Sequence, residues 1–207
     1  MSWPKELVKR ILDYHKFRER LFAEFIQKTL YPFAMEGHIS IREAQFLSKL
    51  VKEANEIEGP IVEVGTLFGY STSVIIIAKH SGKTLISIDK FRWNPSALSP
   101  EIHYDLSKEV LKEAMENHST LLLKKDKGDF YKEDFYKEYS RNSPSLAFFD
   151  ADHSYEGTLE DLLWAKNIGA KIIAGHDYSE KTPGVMKAVN EVFKKEPGYL
   201  CDSLFVI

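Results

Sequence analysis

Residues 61–73 read IVEVGTLFGYSTS. The first four, Ile61-Val62-Glu63-Val64, are mostly β-branched, too few for a helix and not strictly alternating between apolar and polar. That is the pattern of a strand buried on both faces of a parallel sheet. The run empties into a turn holding two glycines, Gly65 and Gly69. Glycine lets the backbone turn tightly and lets a ligand come close to it. Ser71 and Thr72 follow in position to cap the next helix, whose N-terminus attracts a carboxylate or phosphate.

Working outward, the same rhythm repeats to the end of the chain. Short apolar runs stand at 61–64, 85–88, 121–123, 146–149 and 172–174, and amphipathic stretches at 71–80, 105–118, 131–140, 156–168 and 184–195 read as helices between them. Strand and helix in alternation predict a series of βαβ units. Residues 199–207 read as a last strand or a short hairpin. The expected fold is α/β: a doubly wound, mostly parallel Rossmann-like sheet with helices on both faces, preceded by N-terminal helices. In those N-terminal helices, Leu7, Ile11, Tyr14, Phe17, Leu21 and Phe25 recur three or four residues apart. Ser40 with Glu43 forms a capping box ahead of a second stripe, Leu47, Leu50, Val51 and Ala54. The expected division is 1–58, a helical cap or oligomerisation segment compatible with a homodimer, and 59–207, a cofactor-binding domain.

Bulk properties narrow the classes. Lys and Arg number 28 against 31 Asp and Glu, so the basic surplus of a general nucleic-acid binder is missing and no nucleic-acid partner is expected. No window approaches ~20 uninterrupted apolar residues, so no membrane partner is expected either. The single cysteine, Cys201, cannot form an intrachain disulfide, and a cytoplasmic location fits.

Several apolar runs end in polar clusters. The first ends at Gly65, the second at Asp89, the fourth at Asp150-Ala151-Asp152-His153, the fifth at Gly175-His176-Asp177. Right-handed crossovers bring such ends to one edge, and open α/β sheets bind ligands in the crevice outside it. Asp89 stands about 20 residues after the turn, where an acid accepts ribose hydroxyls. Glycine turn and acid together predict an adenosine-containing cofactor. The spacing is G-x-x-x-G, with Leu67 in place of a middle glycine, which suits the carboxylate of S-adenosylmethionine better than a dinucleotide's pyrophosphate. A nicotinamide-dependent oxidoreductase and a non-catalytic cofactor-binding module are the alternatives. Asp150, Asp152, His153, His176 and Asp177 are ligands for a divalent ion, or proton acceptors, or hydrogen-bond partners of the cofactor. Asp129, after the third run, is a candidate for the adenine. His103 and His118 are expected on the surface, and Lys124-Lys125-Asp126-Lys127 in a solvated loop. Residues 92–95 open a connection that suits a lid over a small-molecule acceptor.

Together, IVEVGTLFGYSTS at 61–73, FFDADHSYEG at 148–157, the Gly175-His176-Asp177-Tyr178 segment and Pro183-Gly184-Val185 resemble class I S-adenosylmethionine-dependent methyltransferases. The first motif is similar to that of catechol- and caffeoyl-CoA-type O-methyltransferases. The others resemble a related methyltransferase-domain subfamily and enzymes that modify sugars on natural products. The resemblance covers roughly residues 37–195. It implies that Glu63, Gly65, Gly69, Tyr70 and Ser71 hold the methionine part of the cofactor and Asp89 its ribose. It implies Mg²⁺ or Mn²⁺ ligands at Asp150 and Asp177, with Asp150 also near the cofactor amine. The catechol-type enzymes carry a lysine base where this chain has His153. The expectation is methyl transfer to a hydroxyl oxygen, with His153 as base and His176 in reserve.

Overall fold

Glu63 interrupts an otherwise apolar strand, and the sheet accounts for it. The computed structural model describes residues 39–116 and 119–207. The expected first helix with its Leu7–Phe25 stripe, and His118, lie outside the described residues. Helix α1 spans Ile41–Asn55, strand β1 Ile61–Val64, helix α2 Tyr70–Ala78 and strand β2 Leu85–Asp89. Then come α3 (Pro100–Glu116), β3 (Thr120–Lys124), α4 (Lys127–Lys132), α5 (Phe135–Glu138), β4 (Leu146–Phe149), α6 (Tyr155–Ile168), β5 (Ile172–Gly175) and α7 (Pro183–Phe193). A hairpin of β6 (Tyr199–Cys201) and β7 (Leu204–Val206) closes the chain.

The sheet order is β3-β2-β1-β4-β5-β7-β6. The first five strands pair in parallel, and β7 is antiparallel to both β5 and β6. The order reverses between β1 and β4, the switch point where such sheets take ligands. Alternate residues of each strand serve opposite layers. Ile61, Leu85, Leu146 and Phe148 pack with Leu47, Val51, Val74, Ile75 and Leu111 of α1, α2 and α3. Val62, Val64, Ile86, Ala147 and Phe149 pack with Phe130, Phe135, Leu162, Val185 and Val189 of α4, α5, α6 and α7. The helices therefore lie on both faces, as the apolar runs predict.

Glu63 faces the first layer and is fully buried. It accepts hydrogen bonds from Ser71 Oγ, Thr72 Oγ1 and Ser87 Oγ, each at 2.7 Å. Ser71 and Thr72 are thus not the helix cap expected of them. Gly69 is the N-cap of α2, at φ 90°, with no side-chain cap bond.

Helix boundaries differ from expectation in two places. The helix expected at 131–140 is two short ones, because Asp126 caps α4 and Asp134 caps α5. Helix α3 begins at Pro100, whose fixed φ and missing N–H suit a first turn. The tail takes the second of its two expected forms, the hairpin. Helix α1 keeps its capping box and packs on α2 within the first layer.

Candidate active site

The register puts Ile88, Val64, Phe149 and Gly175 in one row across four parallel strands. The next residue on each strand is Asp89, Gly65, Asp150 and His176, so these four stand side by side along the carboxyl edge. The backbone ladder continues through them: Gly65 N–H donates to Ile88 O at 2.9 Å, Asp150 N–H to Val64 O at 2.9 Å and His176 N–H to Phe149 O at 3.0 Å. Above this row lies a cavity of about 700 Å³. Its lining includes Gly65, Tyr70, Ser71, Asp89, Asp150, Asp152, His153, His176 and Asp177.

Three expected cofactor residues, Glu63, Gly69 and Asp129, are not in its lining. Glu63 is behind the cavity wall, holding Ser71 and Thr72 at the start of α2. Asp129 is on the outer face of α4, about three-quarters exposed and 3.9 Å from Lys132. With Asp126 as N-cap, the helical turn points Asp129 to solvent and Lys127 inward. Lys127 Nζ donates to buried Asp161 at 2.7 Å and lines the cavity, so the run 124–127 is not simply a solvated loop.

Asp89 lines the cavity but is already engaged. Oδ2 accepts from the N–H groups of Thr66 (2.9 Å) and Leu67 (3.0 Å), and Oδ1 from Phe91 N–H (2.6 Å). Since a carboxylate offers about four lone-pair positions, about one remains for a ribose hydroxyl. In the loop after it, Asn94 pairs with both N and O of Leu98 (2.8 and 3.0 Å) and presents Trp93, 68% exposed, at the cavity rim.

The acid and histidine cluster is tight. Asp150 Oδ1 lies 3.5 Å from His153 Nε2 and 3.3 Å from His176 Nδ1. Asp177 Oδ2 lies 3.2 and 3.4 Å from the same two nitrogens. The far side of the His176 ring meets Glu43 Oε1 at 3.2 Å and Ser203 Oγ at 3.1 Å. Burial alone would push the His176 imidazole down; its bonds to Asp150, Asp177 and Glu43 outweigh that and push it up to about 12. An imidazole held among three carboxylates favours its cationic form. His153 is 44% exposed on its side chain, and its pKa is raised chiefly by its bond to Asp150. Glu43 was read only as a capping residue. It splits its oxygens: Oε2 accepts from Ser40 N–H at 2.6 Å and Oε1 from Ser203 N–H at 2.9 Å.

Asp150, His153 and Asp177 each offer one donor atom, all within 4.8 Å of one another. His153 Nε2 stands 3.5 Å from Asp150 Oδ1 and 3.2 Å from Asp177 Oδ2. Two carboxylate oxygens and an imidazole fit Mn²⁺ or Mg²⁺.

Burial pushes Glu63 up to about 7 against the lowering bonds from Ser71, Ser87 and Thr72. A carboxyl whose folded pKa exceeds its unfolded value contributes stability below the unfolded pKa and loses it as pH rises through the folded one. Between about pH 4.5 and 7, wild type therefore loses stability on this account, on the order of 3 kcal/mol in full. Glu63→Gln keeps the shape without the charge. Its stability relative to wild type is expected to climb across that window, as measured by urea unfolding at several pH values; a flat difference would contradict the assignment.

The sheet order, the antiparallel closing hairpin and the glycine turn at the carboxyl edge define a class I methyltransferase. The family model described as "Methyltransferase domain" matches residues 62–178, and the chain belongs to that family. No curated protein matches the sequence. Solved structures share the fold at low identity. An O-methyltransferase from Bacillus cereus in complex with SAH is 17% identical at TM-score 0.59, covering 87% of this chain and 76% of its own. CalS11, a calicheamicin methyltransferase, is 16% identical at TM-score 0.65, covering 100% and 94%. The SAH-bound methyltransferase PaMTH1 of Podospora anserina is 12% identical at TM-score 0.64, covering 100% and 96%. Among the described residues, no helix is long and apolar enough to cross a membrane.

Proposed function

We propose that this methyltransferase moves the methyl group of S-adenosylmethionine to a hydroxyl oxygen of a small molecule. The observation that carries this reading is a single cavity running from the glycine turn, Gly65–Leu67, to the cluster of Asp150, His153 and Asp177. The α2 N-terminus, without a side-chain cap, receives the donor's carboxylate. Gly65 admits the methionine chain, and the remaining lone pair of Asp89 takes a ribose hydroxyl. Methyl transfer from a sulfonium needs alignment above all, which is worth roughly 7–11 kcal/mol.

The second need is to take the hydroxyl proton. His153 is the exposed imidazole of the cluster. With Nε2–H donating to Asp177 and Asp150, Nδ1 carries the lone pair and accepts it. The His176 cation, fixed by Glu43, places positive charge beside Asp150 and favours the developing oxyanion. A divalent ion held by the Asp150 and Asp177 carboxylates would supply Lewis-acid polarisation of the acceptor oxygen and leave His153 to take the proton. A homodimer built through the N-terminal segment and a cytoplasmic location, fitted by the lone Cys201, belong to the same proposal.

Calorimetric titration with S-adenosylhomocysteine and NAD separates donor classes: the first is expected to bind and the second not. Assay of a panel of phenols, sugars and amines, with and without chelator, then locates the transferred methyl. His153→Asn is expected to lower kcat by about 10²–10⁴-fold with product binding unchanged. Methyl appearing on nitrogen, or full turnover in His153→Asn, would overturn the oxygen-acceptor scheme.

A further inference from the structure

His103, expected at the surface, is fully buried in α3. Both ring nitrogens meet backbone carbonyls: Nδ1 stands 3.1 Å from Phe91 O and Nε2 3.1 Å from Leu67 O. Ser107, one turn on and also fully buried, donates to Leu67 O at 2.7 Å. Phe68 and Phe91 flank the ring, with centroids 4.7 and 5.2 Å away.

The two carbonyls belong to a matched pair of residues. Leu67 sits in the glycine turn and Phe91 in the loop after β2, and both adopt positive φ, 48° and 53°. Side chains resist that conformation, so each needs outside support. Asp89 provides half by accepting the N–H of Leu67 and of Phe91. On the other side the His103 ring bridges the C=O groups of the same two residues, donating to one in either tautomer, and Ser107 Oγ donates to that of Leu67. The two loops beside Asp89 are thus held at both ends of each residue, by one acid on the amide side and by the imidazole with Ser107 on the carbonyl side. Of these four peptide groups, none belongs to a regular ladder, so the grip sets where the cavity wall at Leu67 and the carboxylate of Asp89 stand.

We propose that His103 is a positioning residue for the nucleoside half of the donor site, acting through Leu67, Phe91 and Asp89. This rests on the donor reading above. Without the ring, Phe91 O loses its imidazole partner and Leu67 O keeps only Ser107 Oγ, and both residues relax toward ordinary φ. Asp89 follows, and the lone pair left for a ribose hydroxyl turns away. The amino-acid end, set by Gly65 and α2, stays as it was.

The test is calorimetric titration of the full chain, as wild type, His103→Phe and His103→Gln, with S-adenosylhomocysteine and with 5′-methylthioadenosine, which lacks the amino-acid arm. Phenylalanine keeps a ring and drops both polar contacts; glutamine keeps one donor. His103→Phe is expected to raise Kd about tenfold or more for both ligands by the same factor, and His103→Gln to recover part of the loss. Amide exchange at Leu67 and Phe91 is expected to quicken about tenfold in whichever variant folds. Wild-type affinity in both variants, or weakening confined to S-adenosylhomocysteine, would overturn the proposal. Unchanged exchange at those amides in the folded variant would do the same. Failure of wild type to bind S-adenosylhomocysteine overturns the donor reading first, and is recognisable because no variant is needed to see it.

Discussion

Asp150→Ala is expected to lower kcat/KM by about 10³-fold or more while the chain still folds. The residue is one step past β4, its N–H paired with Val64 O, so its place in the row is set by the sheet. Its Oδ1 is shared by His153 and His176, and only 14% of its side chain is exposed. Alanine removes three things at once. His153 loses the contact that chiefly raises its pKa and helps hold its Nε2–H. A divalent ion at this cluster would lose one of its two carboxylates. The wall facing the donor loses its negative charge. Misplacing base and acceptor together accounts for about 4 kcal/mol of barrier, which is about 10³ in rate. His176 keeps Glu43 and Asp177, so the stability cost stays at about 1–3 kcal/mol. Initial rates beside thermal unfolding check both halves. Asp150→Asn separates charge from shape: equal loss in both variants assigns the effect to the carboxylate's charge. A rate within tenfold of wild type would remove Asp150 from the chemistry.

Much of the site was legible because its residues end apolar runs. A strand buried on both faces leaves a short hydrophobic word, and the first polar residue after it must lie at the sheet edge. Asp89, Gly65, Asp150 and His176 announce themselves in this way, and the register then only aligns them. Glu43 leaves no such mark. Its partners Ser203 and His176 are 160 and 133 positions away, and the capping box already explains a glutamate at that spacing. The outward placement of Asp129 is hidden for a different reason. One helical residue is 100° of rotation, and without knowing that Asp126 is the cap, the inward side of α4 cannot be chosen between Lys127 and Asp129. His103 does leave a mark in the sequence. His103, Ser107 and Leu111 follow one another at four-residue intervals, all fully buried. Two polar residues on the apolar stripe of an amphipathic helix require buried partners, which is itself a pointer to the loops they face.

Gly65→Ala is expected to abolish product binding, a loss of at least about 100-fold, whereas Gly69→Ala is expected to stay within about tenfold of wild type. Both glycines sit at positive φ, 103° and 90°. Left-handed backbone costs a residue with Cβ roughly 1–2 kcal/mol, so that term does not distinguish them. The surroundings do. A Cβ on Gly65 would stand 2.1 Å from Asp150 O, 2.5 Å from its carbonyl carbon and 3.0 Å from Ala151 N. Those are backbone atoms, and the Asp150 N–H bond to Val64 O ties them to the very strand that bears the new methyl. Neither side can withdraw without parting β1 from β4 at the floor of the cavity and tilting the start of α2. On Gly69 the nearest atoms are the Cγ and Cδ2 of Leu111, both at 2.8 Å, a side chain that can rotate away. Strain plus backbone overlap should cost Gly65→Ala about 3–5 kcal/mol of stability, read by urea unfolding, with binding followed by calorimetry. If Gly65→Ala bound S-adenosylhomocysteine within threefold of wild type, the turn would not be the donor's seat, and the cavity would have to be filled from its histidine end.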